Sequence, residues 1–295
     1  MRIFVLELNN DIKGIDKRMI YIESLISKLP NPDLVLLPEL AIPSYMPNYK
    51  IWEYADESSE MTIKWSMEMA MKYNCFIGVG YADYEKGNYY NRYLIADKNK
   101  VYGIITKSEG EAAIFKRGWF DNIIKTPFGN IAIGICYDSR RKHFYENIKH
   151  EKLSLIVFPH GSSASSKKKL EEQQDNGYIC NTYLKAFGVP VVYINSKGKL
   201  EYMPGIMGYL MKLFGFSMNG KSKIYANDGS DIIIKSNEIQ GHDVSLSEKT
   251  RKKDINFYGK DLIKGNNFFR KTILKIDIKI GISKYKKALK RKMLN

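Results

Sequence analysis

The stretch TPFGNIAIGICYDSR, Thr126–Arg140, combines a turn, an apolar run and a cysteine within a few residues. The run Ile131–Ile135 is β-rich and apolar, which is typical of a strand buried on both faces. Cys136 follows at the carboxyl end of this strand, where a thiol can face a cleft close to backbone N–H groups. Free cysteines are usually small buried hydrophobes, so this stretch leaves both a core role and a nucleophilic role open.

The chain has 295 residues, of which 44% are hydrophobic, and this fits one large α/β domain over residues 1–295. Its three cysteines are widely spaced and form no CxxC pair, which predicts a reducing compartment and a cytoplasmic location. The first apolar run is interrupted by Glu7 and is too short for a secretion signal. No stretch approaches the roughly 18 apolar residues that a membrane helix needs.

The net charge of +15 is compatible with nucleic acid or an anionic membrane surface as partner. The basic residues are spread along the chain until the last 30 positions, and no RRM, KH or zinc-finger signature is present. We therefore expect no nucleic-acid partner, and a contact with a membrane surface is the less favoured interpretation. No cofactor and no metal are expected, because the histidines show no ligand spacing; they are His143, His150, His160 and His242.

Along the chain, apolar periodicity predicts strands that alternate with amphipathic helices and also strands that follow one another directly. This order favours a mixed sheet over a doubly wound parallel one. The predicted helices are Asp11–Leu29, Glu57–Tyr73, Arg141–Lys152 and Lys167–Phe187. The predicted strands are Ile3–Leu8, Leu34–Leu37, Phe76–Gly80, Tyr89–Asp97, Val101–Ile105, Leu153–Phe158 and Val189–Ile194.

The last third of the chain has weaker patterns. Residues 199–219 are apolar but broken by prolines and glycines, which indicates a loop packed on the body or a partner, or a pocket wall or lid that touches lipid. Ser222–Tyr225 and Asp231–Lys235 read as a strand pair around the turn Asn227-Asp228-Gly229. Residues 236–267 are polar without periodicity and are predicted to be a surface excursion.

Residues 268–295 are predicted to hold a closing strand and a basic helix. Leu274–Ile282 alternates between apolar and charged residues, as a half-exposed strand does. Lys284–Met293 reads as a basic terminal helix, whose charges more often form a solvated face than a binding patch.

Two motif matches fail on their context. Gly215–Ser222 fits the phosphate-loop pattern GxxxxGK[ST], but the residues after it read as a strand entering a turn, whereas such a loop must open a helix. A protease-like pairing of Cys136 with His160 has no local signature.

One constellation remains. Glu39, Lys107 and Cys136 each come just after the end of a predicted strand. A carboxylate directly behind a buried apolar strand is unfavourable unless it is paired or used, so Glu39 is either a structural ion-pair or cap residue or part of a site.

With these residues in place, the chain resembles the nitrilase superfamily of carbon–nitrogen hydrolases. The resemblance rests on LVLLPEL with Glu39, on ITK with Lys107, and on TPFGNIAIGICYDSR with Cys136. Glu111, followed by Phe115 and Gly118, also matches, although its spacer from Lys107 is shorter than usual in the family. Further matching segments are LIVFP at 155–159, PVVYINSKG at 190–198, GKSKIYANDG at 220–229 and LKIDIKI at 274–280.

The resemblance implies an α/β fold, a four-layer αββα sandwich with two mixed β-sheets, that assembles as a homodimer or a higher homo-oligomer. It implies hydrolysis of a small, non-peptide amide (amidase or carbamoyl-type) through a cysteine thioester. The alternatives are an N-acyltransferase that passes the acyl group to an amine, a nitrilase proper, or a non-catalytic scaffold.

The resemblance also implies roles for individual residues. Cys136 would be the nucleophile, Glu39 the general base, and Lys107 the cation that faces the oxyanion, with the backbone N–H of Tyr137 as a second donor. Glu111 would be the supporting glutamate.

Two further residues complete the expected site. Tyr45 and His160 are the candidate substrate-binding residues. The substrate itself and the length of its acyl group are not specified by these motifs.

Overall fold

The computed structural model describes residues 1–226, 231–264 and 274–294. In these residues the helices are α1 (Ile15–Ile26), α2 (Glu60–Tyr73), α3 (Lys142–Ile148), α4 (Lys169–Phe187), α5 (Ile206–Leu213) and α6 (Leu274–Leu294). The strands are β1 (Arg2–Leu6), β2 (Leu34–Leu36), β3 (Asp56–Glu57), β4 (Phe76–Glu85), β5 (Asn88–Ala96), β6 (Val101–Thr106), β7 (Ile123–Thr126), β8 (Gly129–Ile133), β9 (Leu155–Pro159), β10 (Ser163–Ala164), β11 (Val191–Ile194), β12 (Lys197–Gly198), β13 (Ser217–Asn219), β14 (Lys223–Tyr225), β15 (Asp231–Lys235) and β16 (Ile239–Asp243).

The larger sheet has the order β15-β16-β1-β2-β4-β5-β6, with β3 beside β4. Its centre is parallel, because α1 and α2 carry the chain back between β1, β2 and β4. Its flanks are antiparallel, with β5 paired to β4 and β16 paired to β1. This is the mixed sheet that the order of the elements predicts.

The second sheet has the order β14-β11-β9-β8-β7. Strands β8, β9 and β11 are parallel, and the outer strands β7 and β14 are antiparallel to their neighbours. A small third sheet joins β10, β13 and β12. Both large sheets therefore have a parallel centre whose strands end at a common edge.

The two large sheets pack face to face, with helices on their outer faces. The core between the sheets joins Val5 and Leu36 of the first sheet to Ile133, Val157 and Val192 of the second. Helices α1 and α2 cover the outer face of the first sheet, and α3 and α4 cover the outer face of the second. The predicted four-layer αββα sandwich is confirmed.

The prediction of a closing strand at Leu274–Ile282 is wrong, because these residues begin the long helix α6. The alternating isoleucines misled the prediction, since residues four apart share a face in both a strand and a helix. The helix places Gly281 and Tyr285 against the body of the protein, while the side chain of Ile276 is 48% exposed. The predicted basic helix Lys284–Met293 is the second half of this same helix.

The prediction of a surface excursion at 236–267 is wrong for the part that the structure describes. Strand β16 pairs along its whole length with β1, which satisfies the backbone of a polar-looking segment inside the sheet. Beyond it, Val244, Ile255 and Leu262 are buried. A few apolar anchors at irregular spacing therefore hold this segment, and such spacing gives no periodic signal.

The predicted strand pair Ser222–Tyr225 and Asp231–Lys235 is also corrected. Both strands exist, but β14 belongs to the second sheet and β15 to the first, so they do not form a hairpin. The predicted turn Asn227-Asp228-Gly229 lies outside the described residues. In the described parts of the chain, no helix has the length and apolar character needed to cross a bilayer.

Candidate active site

Glu39, Lys107 and Glu111 form a buried ionic cluster. The Nζ atom of Lys107 donates to Oε1 of Glu39 at 2.6 Å and to Oε1 of Glu111 at 2.9 Å. Glu39 and Lys107 are almost fully buried, with 0% and 1% of their side chains exposed. Removing these charges from water is unfavourable, and such clusters are found most often where their chemistry is used.

The strand ends bring Glu39 and Lys107 together. Glu39 follows β2 by three residues and Lys107 follows β6 directly, at the same edge of the first sheet. The backbone after Glu39 turns sharply, with a φ of 47° at Leu40. Gly80 allows this turn to lie on β4, since a Cβ there would come within 2.6 Å of the Pro38 carbonyl oxygen.

Glu111 reaches the cluster from a turn that follows Lys107. Its carbonyl oxygen accepts hydrogen bonds from the backbone N–H groups of Ile114 and Phe115 at 2.8 and 3.0 Å. This closes a helical turn that points Glu111 back toward Lys107, four residues earlier. The short spacer noted in the sequence therefore still lets the two side chains meet.

Two polar side chains complete the hydrogen bonds of the cluster. Asn91 donates from Nδ2 to Oε1 of Glu39 at 2.8 Å, and Tyr45 donates its hydroxyl proton to Oε1 of Glu111 at 3.0 Å. The remaining carboxylate oxygens, Oε2 of Glu39 and Oε2 of Glu111, are buried and have no hydrogen-bond partner among the described residues. Each carboxylate therefore keeps one oxygen available for a bound molecule or a proton.

Sequence reasoning missed Asn91. The available signal was a polar residue inside YYNRYLIA, a strand segment that is otherwise mostly apolar. Asn91 also accepts the backbone N–H of Lys107 at its carbonyl oxygen, at 2.9 Å, so it fixes both members of the Glu39–Lys107 pair.

Cys136 lies at the sharp bend that follows β8. It begins a short 3₁₀ helix, Cys136–Arg140, and has a φ of 50°, a left-handed conformation that residues other than glycine rarely adopt. The residue is half-buried, and the backbone N–H of Gly161 is directed toward its sulfur. A non-glycine residue held in this conformation is a reason to suspect a function.

The charges of the cluster act directly on this thiol. Burial raises the pKa of Cys136 well above its usual range, Glu39 raises it further, and Lys107 lowers it. The pKa of Glu39 is raised by burial, against the opposing effect of Lys107. These mutual effects place the thiol, the ammonium and the carboxylate in one electrostatic environment.

Lys107 stays charged in this environment. Burial alone would lower the pKa of Lys107, but Glu111, Glu39 and Cys136 outweigh burial and raise it well above the usual value. For Glu111, burial favours a higher pKa, but the ion pair with Lys107 and the hydrogen bond from Tyr45 leave the pKa lowered. The resting cluster is therefore a Lys107–Glu111 ion pair next to a Glu39 carboxyl of raised proton affinity.

Asp138 connects the cysteine bend to the lysine loop. Its carboxylate accepts the backbone N–H groups of Ser108 and Glu109 at 2.9 and 2.7 Å. Burial raises the pKa of Asp138 to about 7. Because Asp138 lies two residues after Cys136 and Ser108 follows Lys107, this contact sets the position of the nucleophile candidate relative to the ammonium.

Tyr137 follows Cys136 at the start of the 3₁₀ helix, so its backbone N–H lies at the positive end of that helix. Its hydroxyl donates to Oδ2 of Asp261 at 3.2 Å, and its ring lies 5.2 Å from the guanidinium of Arg141. These contacts hold the residue whose backbone N–H was predicted to face the oxyanion.

His160 follows β9 and is buried near the second sheet's edge. Its Nε2 lies 3.3 Å from Oγ of Ser139, and its ring packs against Tyr193. Burial, with help from Lys107 and Arg140, lowers the pKa of His160 to about 3, so the ring is neutral near pH 7. This environment fits a positioning residue better than a proton carrier.

Tyr45 is buried against the backbone of Gly161. A Cβ on Gly161 would lie only 2.0 Å from the Tyr45 ring, so this glycine allows the ring to reach Glu111. Tyr45 thus contacts the cluster directly, whereas His160 contacts the bend after Cys136 through Ser139.

A cavity of about 200 Å³ opens beside the cluster. Its lining includes Glu111, Tyr137 and residues before and within α5 and α6, such as Met203, Met207 and Gly281. Glu39, Lys107 and Cys136 are not part of this lining, so Glu111 and Tyr137 connect the cavity to the cluster and to the cysteine bend. Most of the lining is apolar. Among the described residues, no group of three or more His, Cys, Asp or Glu side chains is arranged to hold a metal ion.

The comparisons with known proteins agree with this architecture. The sequence model of the carbon-nitrogen hydrolase family matches residues 9–246, so the chain belongs to this family. The resemblance to the nitrilase superfamily is thereby confirmed. No curated protein sequence matches the chain.

Solved structures share the fold at low sequence identity. A carbon-nitrogen hydrolase from Helicobacter pylori G27 is 20% identical, with 77% of this chain and 82% of that chain covered and a TM-score of 0.64. A cysteine-to-serine mutant of the Nesterenkonia AN1 amidase, from the nitrilase superfamily, is 15% identical, with 83% of this chain and 92% of that chain covered and a TM-score of 0.65. A glutamate-to-glutamine mutant of that amidase, with acrylamide added to its active-site cysteine, is 15% identical, with 83% of this chain and 93% of that chain covered and a TM-score of 0.65.

Proposed function

We propose that the chain is an amidase that hydrolyses a small, non-peptide amide through a thioester on Cys136. The observation that carries the proposal is the Lys107 ammonium, held between two buried carboxylates and within electrostatic reach of Cys136, a half-buried cysteine with a left-handed backbone. These groups supply a nucleophile, a proton carrier and a fixed positive charge. The Nesterenkonia amidase, which takes up acrylamide at its active-site cysteine, supports a cysteine nucleophile.

The first step forms the carbon–sulfur bond. The Cys136 sulfur attacks the carbonyl carbon of the amide while Glu39 accepts the thiol proton, and the carbonyl electron pair moves onto the oxygen. Lys107 and the backbone N–H of Tyr137 stabilise the resulting oxyanion. The raised proton affinity of Glu39 suits this role, because a base must hold the proton that it will later return.

The second step breaks the carbon–nitrogen bond. Glu39 gives its proton to the leaving nitrogen, ammonia or an amine departs, and a thioester remains on Cys136. Water then attacks the thioester as Glu39 takes one of its protons, the carbon–sulfur bond breaks, and the sulfur recovers the proton. The products are a carboxylic acid and the amine, and the enzyme returns to its starting state.

Glu111 and Tyr45 act on this reaction through Lys107. The Glu111 carboxylate keeps the Lys107 ammonium charged and fixes its direction, and Tyr45 holds the carboxylate in turn. The unpartnered Oε2 atom of Glu111 can accept a hydrogen bond from the amide nitrogen of the substrate.

The lining of the cavity supports an amide whose substituent is apolar. Met203 and Met207 line the cavity together with Glu111, and methionine side chains adapt to irregular apolar groups. We therefore expect aliphatic amides of several carbons to be better substrates than charged ones.

The test combines an activity assay with mass spectrometry. Ammonia release is measured with aliphatic amides of increasing length, and intact mass is measured during turnover. We expect ammonia from part of the series and an acyl adduct on Cys136. An adduct confined to Cys75 or Cys180, or full turnover by a Cys136→Ala variant, would refute the proposal.

A second candidate function is acyl transfer to an amine. It is favoured by the same apolar cavity, which could hold an acyl chain while the thioester waits for its acceptor. Adding hydroxylamine or a primary amine during turnover separates the two, because a hydrolase yields mainly the acid and a transferase mainly the new amide. Acid as the only product would exclude transfer to the amines tested.

A further inference from the structure

Helix α5 is apolar on both of its faces. Gly208 and Met211 are buried against the protein, while on the opposite side Ile206, Tyr209 and Leu213 are 45%, 67% and 62% exposed. These three residues have the spacing i, i+3, i+7 of one helix face. A helix that is apolar all round is normally covered on both sides, so the outward face of α5 calls for a partner.

Helix α6 also exposes apolar side chains and adds charge. The exposed residues Ile276, Ile280 and Ile282 lie on α6, and Phe214 continues the face just beyond α5. The helix contains eight lysine and arginine residues but a single acidic one, Asp277. The basic residues are Lys275, Lys279, Lys284, Lys286, Lys287, Lys290, Arg291 and Lys292.

The two helices are joined at the N-terminus of α5. The N-terminus of α5 has no side-chain cap of its own, and Asp277 of α6 accepts the backbone N–H of Ile206 at 3.1 Å. The one acidic side chain of α6 is therefore used in holding α5, and it neutralises the positive end of that helix. What remains outward on the pair is apolar and positively charged.

We propose that this α5–α6 surface, formed by Ile206, Tyr209, Leu213, Phe214, Ile276, Ile280 and Ile282 and the surrounding lysines, binds an anionic lipid membrane from its surface. Aromatic and aliphatic side chains flanked by lysines are the composition of helices that lie in the membrane interface. Each basic side chain near an anionic bilayer adds to the attraction, and the net charge of +15 favours the encounter.

The positive charge of α6 favours a membrane over a second copy of the chain as the partner of this surface. A second copy would bring the same excess of seven positive charges on α6, eight basic residues less Asp277, against this one, and like charges across an interface repel. An anionic bilayer complements both the apolar centre and the basic rim. Helix α5 lies within residues 9–246, the part that matches the family model, and helix α6 lies beyond it.

The test is flotation of the full-length protein with vesicles. We expect binding to vesicles of phosphatidylglycerol mixed with phosphatidylcholine, little binding to phosphatidylcholine alone, and release at high salt because the charges are screened. The triple variant Tyr209→Ser, Leu213→Ser, Phe214→Ser should weaken binding at least tenfold, as should Lys286→Gln, Lys287→Gln, Lys290→Gln.

Matched controls remove similar groups elsewhere. Leu170→Ser with Tyr178→Ser removes two exposed apolar side chains of α4, and Lys17→Gln, Lys64→Gln, Lys125→Gln removes three exposed lysines. Both controls should bind vesicles as the unchanged protein does. Equal losses in the controls and in the α5 or α6 variants would overturn the proposal, since binding would then be non-specific.

Two other results would also overturn it. One is the absence of binding to anionic vesicles at low salt. The other is a change in oligomeric mass of the α5 variant by light scattering without any vesicle binding, which would make the surface an interface between copies. The outcome is independent of the amidase proposal, because a Cys136→Ala variant should bind vesicles fully whether or not the chain hydrolyses amides.

Discussion

The buried ionic cluster and the α5–α6 surface each contribute a residue to the same cavity, Glu111 and Ile280, yet the two regions are held in opposite ways. In the cluster, Glu39 and Lys107 have at most 1% of their side chains exposed, and Lys107 donates short hydrogen bonds to both carboxylates. On the α5–α6 surface, Tyr209 and Leu213 are more than half exposed. The cluster comes from strand ends inside the family match, whereas α6 lies outside it.

This difference suggests a division of roles between the two regions. We expect the buried ionic cluster to carry the chemistry, and the α5–α6 surface and the cavity beside it to select the location and the substrate. A cluster whose partners are fixed by the sheet tolerates no change of charge, since removing one partner leaves an uncompensated buried ion. A surface made of exposed side chains tolerates substitutions and loses only what binds to it. Substitutions in the two regions should therefore differ in the size and in the kind of their effects.

The largest effect is expected for Cys136→Ala. Without the sulfur no thioester can form, so amide turnover should fall by at least about a thousandfold, while the small loss of volume at a half-buried site leaves the fold intact. Turnover is measured by ammonia release and folding by thermal unfolding. The control is Cys180→Ala, which removes a buried thiol in the α4 layer and should keep turnover; a variant at 136 that remains active contradicts the comparison.

Glu39→Gln should have the next largest effect. The amide can still accept the Lys107 hydrogen bond but cannot take the thiol proton, so kcat/KM should fall roughly 10²–10⁴-fold. In the unchanged enzyme, kcat/KM should fall toward acid pH as Glu39 becomes protonated, at a higher pH than for an ordinary carboxylate, because its pKa is raised by burial.

The matched control for Glu39 is Asp83→Asn. Asp83 is a buried carboxylate of the same sheet that pairs with Arg92 and accepts the Ser59 N–H, away from the cluster. It should lower the unfolding temperature without removing the acid limb of kcat/KM. Equal rate losses in both variants would mean that Glu39 has only a structural role.

His160 allows a test in which the free energy of unfolding, rather than the rate, is measured. Its pKa is lowered to about 3 by burial, whereas an unperturbed histidine titrates near 6.5. The unfolded chain then binds a proton that the folded protein does not, so the free energy of unfolding falls as pH drops from about 6.5 toward 3. The decline due to this group is roughly 3–5 kcal/mol at the acid end.

His160→Gln should remove this part of the decline. Urea unfolding at a series of pH values, compared with the unchanged protein and with His150→Gln at an exposed position, measures it. If the three proteins lose stability in parallel as pH falls, His160 is not buried in the neutral form.

Tyr45→Phe tests how far the cluster depends on hydrogen bonds from outside it. The ring and its packing on Gly161 remain, but the 3.0 Å hydrogen bond to Glu111 is lost. Hydrogen bonds to charged groups contribute about 1.5–3 kcal/mol, so we expect kcat to fall roughly tenfold with little change in KM. Tyr183→Phe is the control, since the Tyr183 hydroxyl is buried without a hydrogen-bond partner among the described residues.

The two regions also differ in how well the sequence predicts them. Glu39, Lys107 and Cys136 are recognisable because a charged or reactive residue directly after a buried strand is unusual, and strand ends at one sheet edge meet in space. The roles of Asn91 and Asp138 are not predicted from the sequence. Asn91 contacts Glu39 and Asp138 contacts Ser108, and each contact joins parts of the chain that are far apart in sequence.

Within the α5–α6 surface, the prediction of a strand at Leu274–Ile282 is wrong for a physical reason. Isoleucines at every second position satisfy the strand pattern, and the contacts of Gly281 and Tyr285 with the body, four residues apart, are compatible with a strand or a helix, so the local pattern does not separate the two. The local pattern of Leu274–Ile282 therefore allows both a strand and a helix, and tertiary packing selects the helix. The lysines of α6 are exposed, as the prediction of a solvated face has it.

The smallest effect is expected at the cavity wall that separates the two regions. Met207→Trp adds volume to the wall of the cavity that Glu111 also lines, so KM for longer aliphatic amides should rise by about three- to tenfold. The kcat value for the shortest substrate should stay the same, because no group of the ionic cluster changes. The control is Tyr209→Trp on the outward face of α5, which should leave KM unchanged for every amide and retain vesicle binding. Should Met207→Trp instead lower kcat for all amides equally, α5 would be part of the catalytic support rather than a wall for the substituent, and the division between the two regions would not hold.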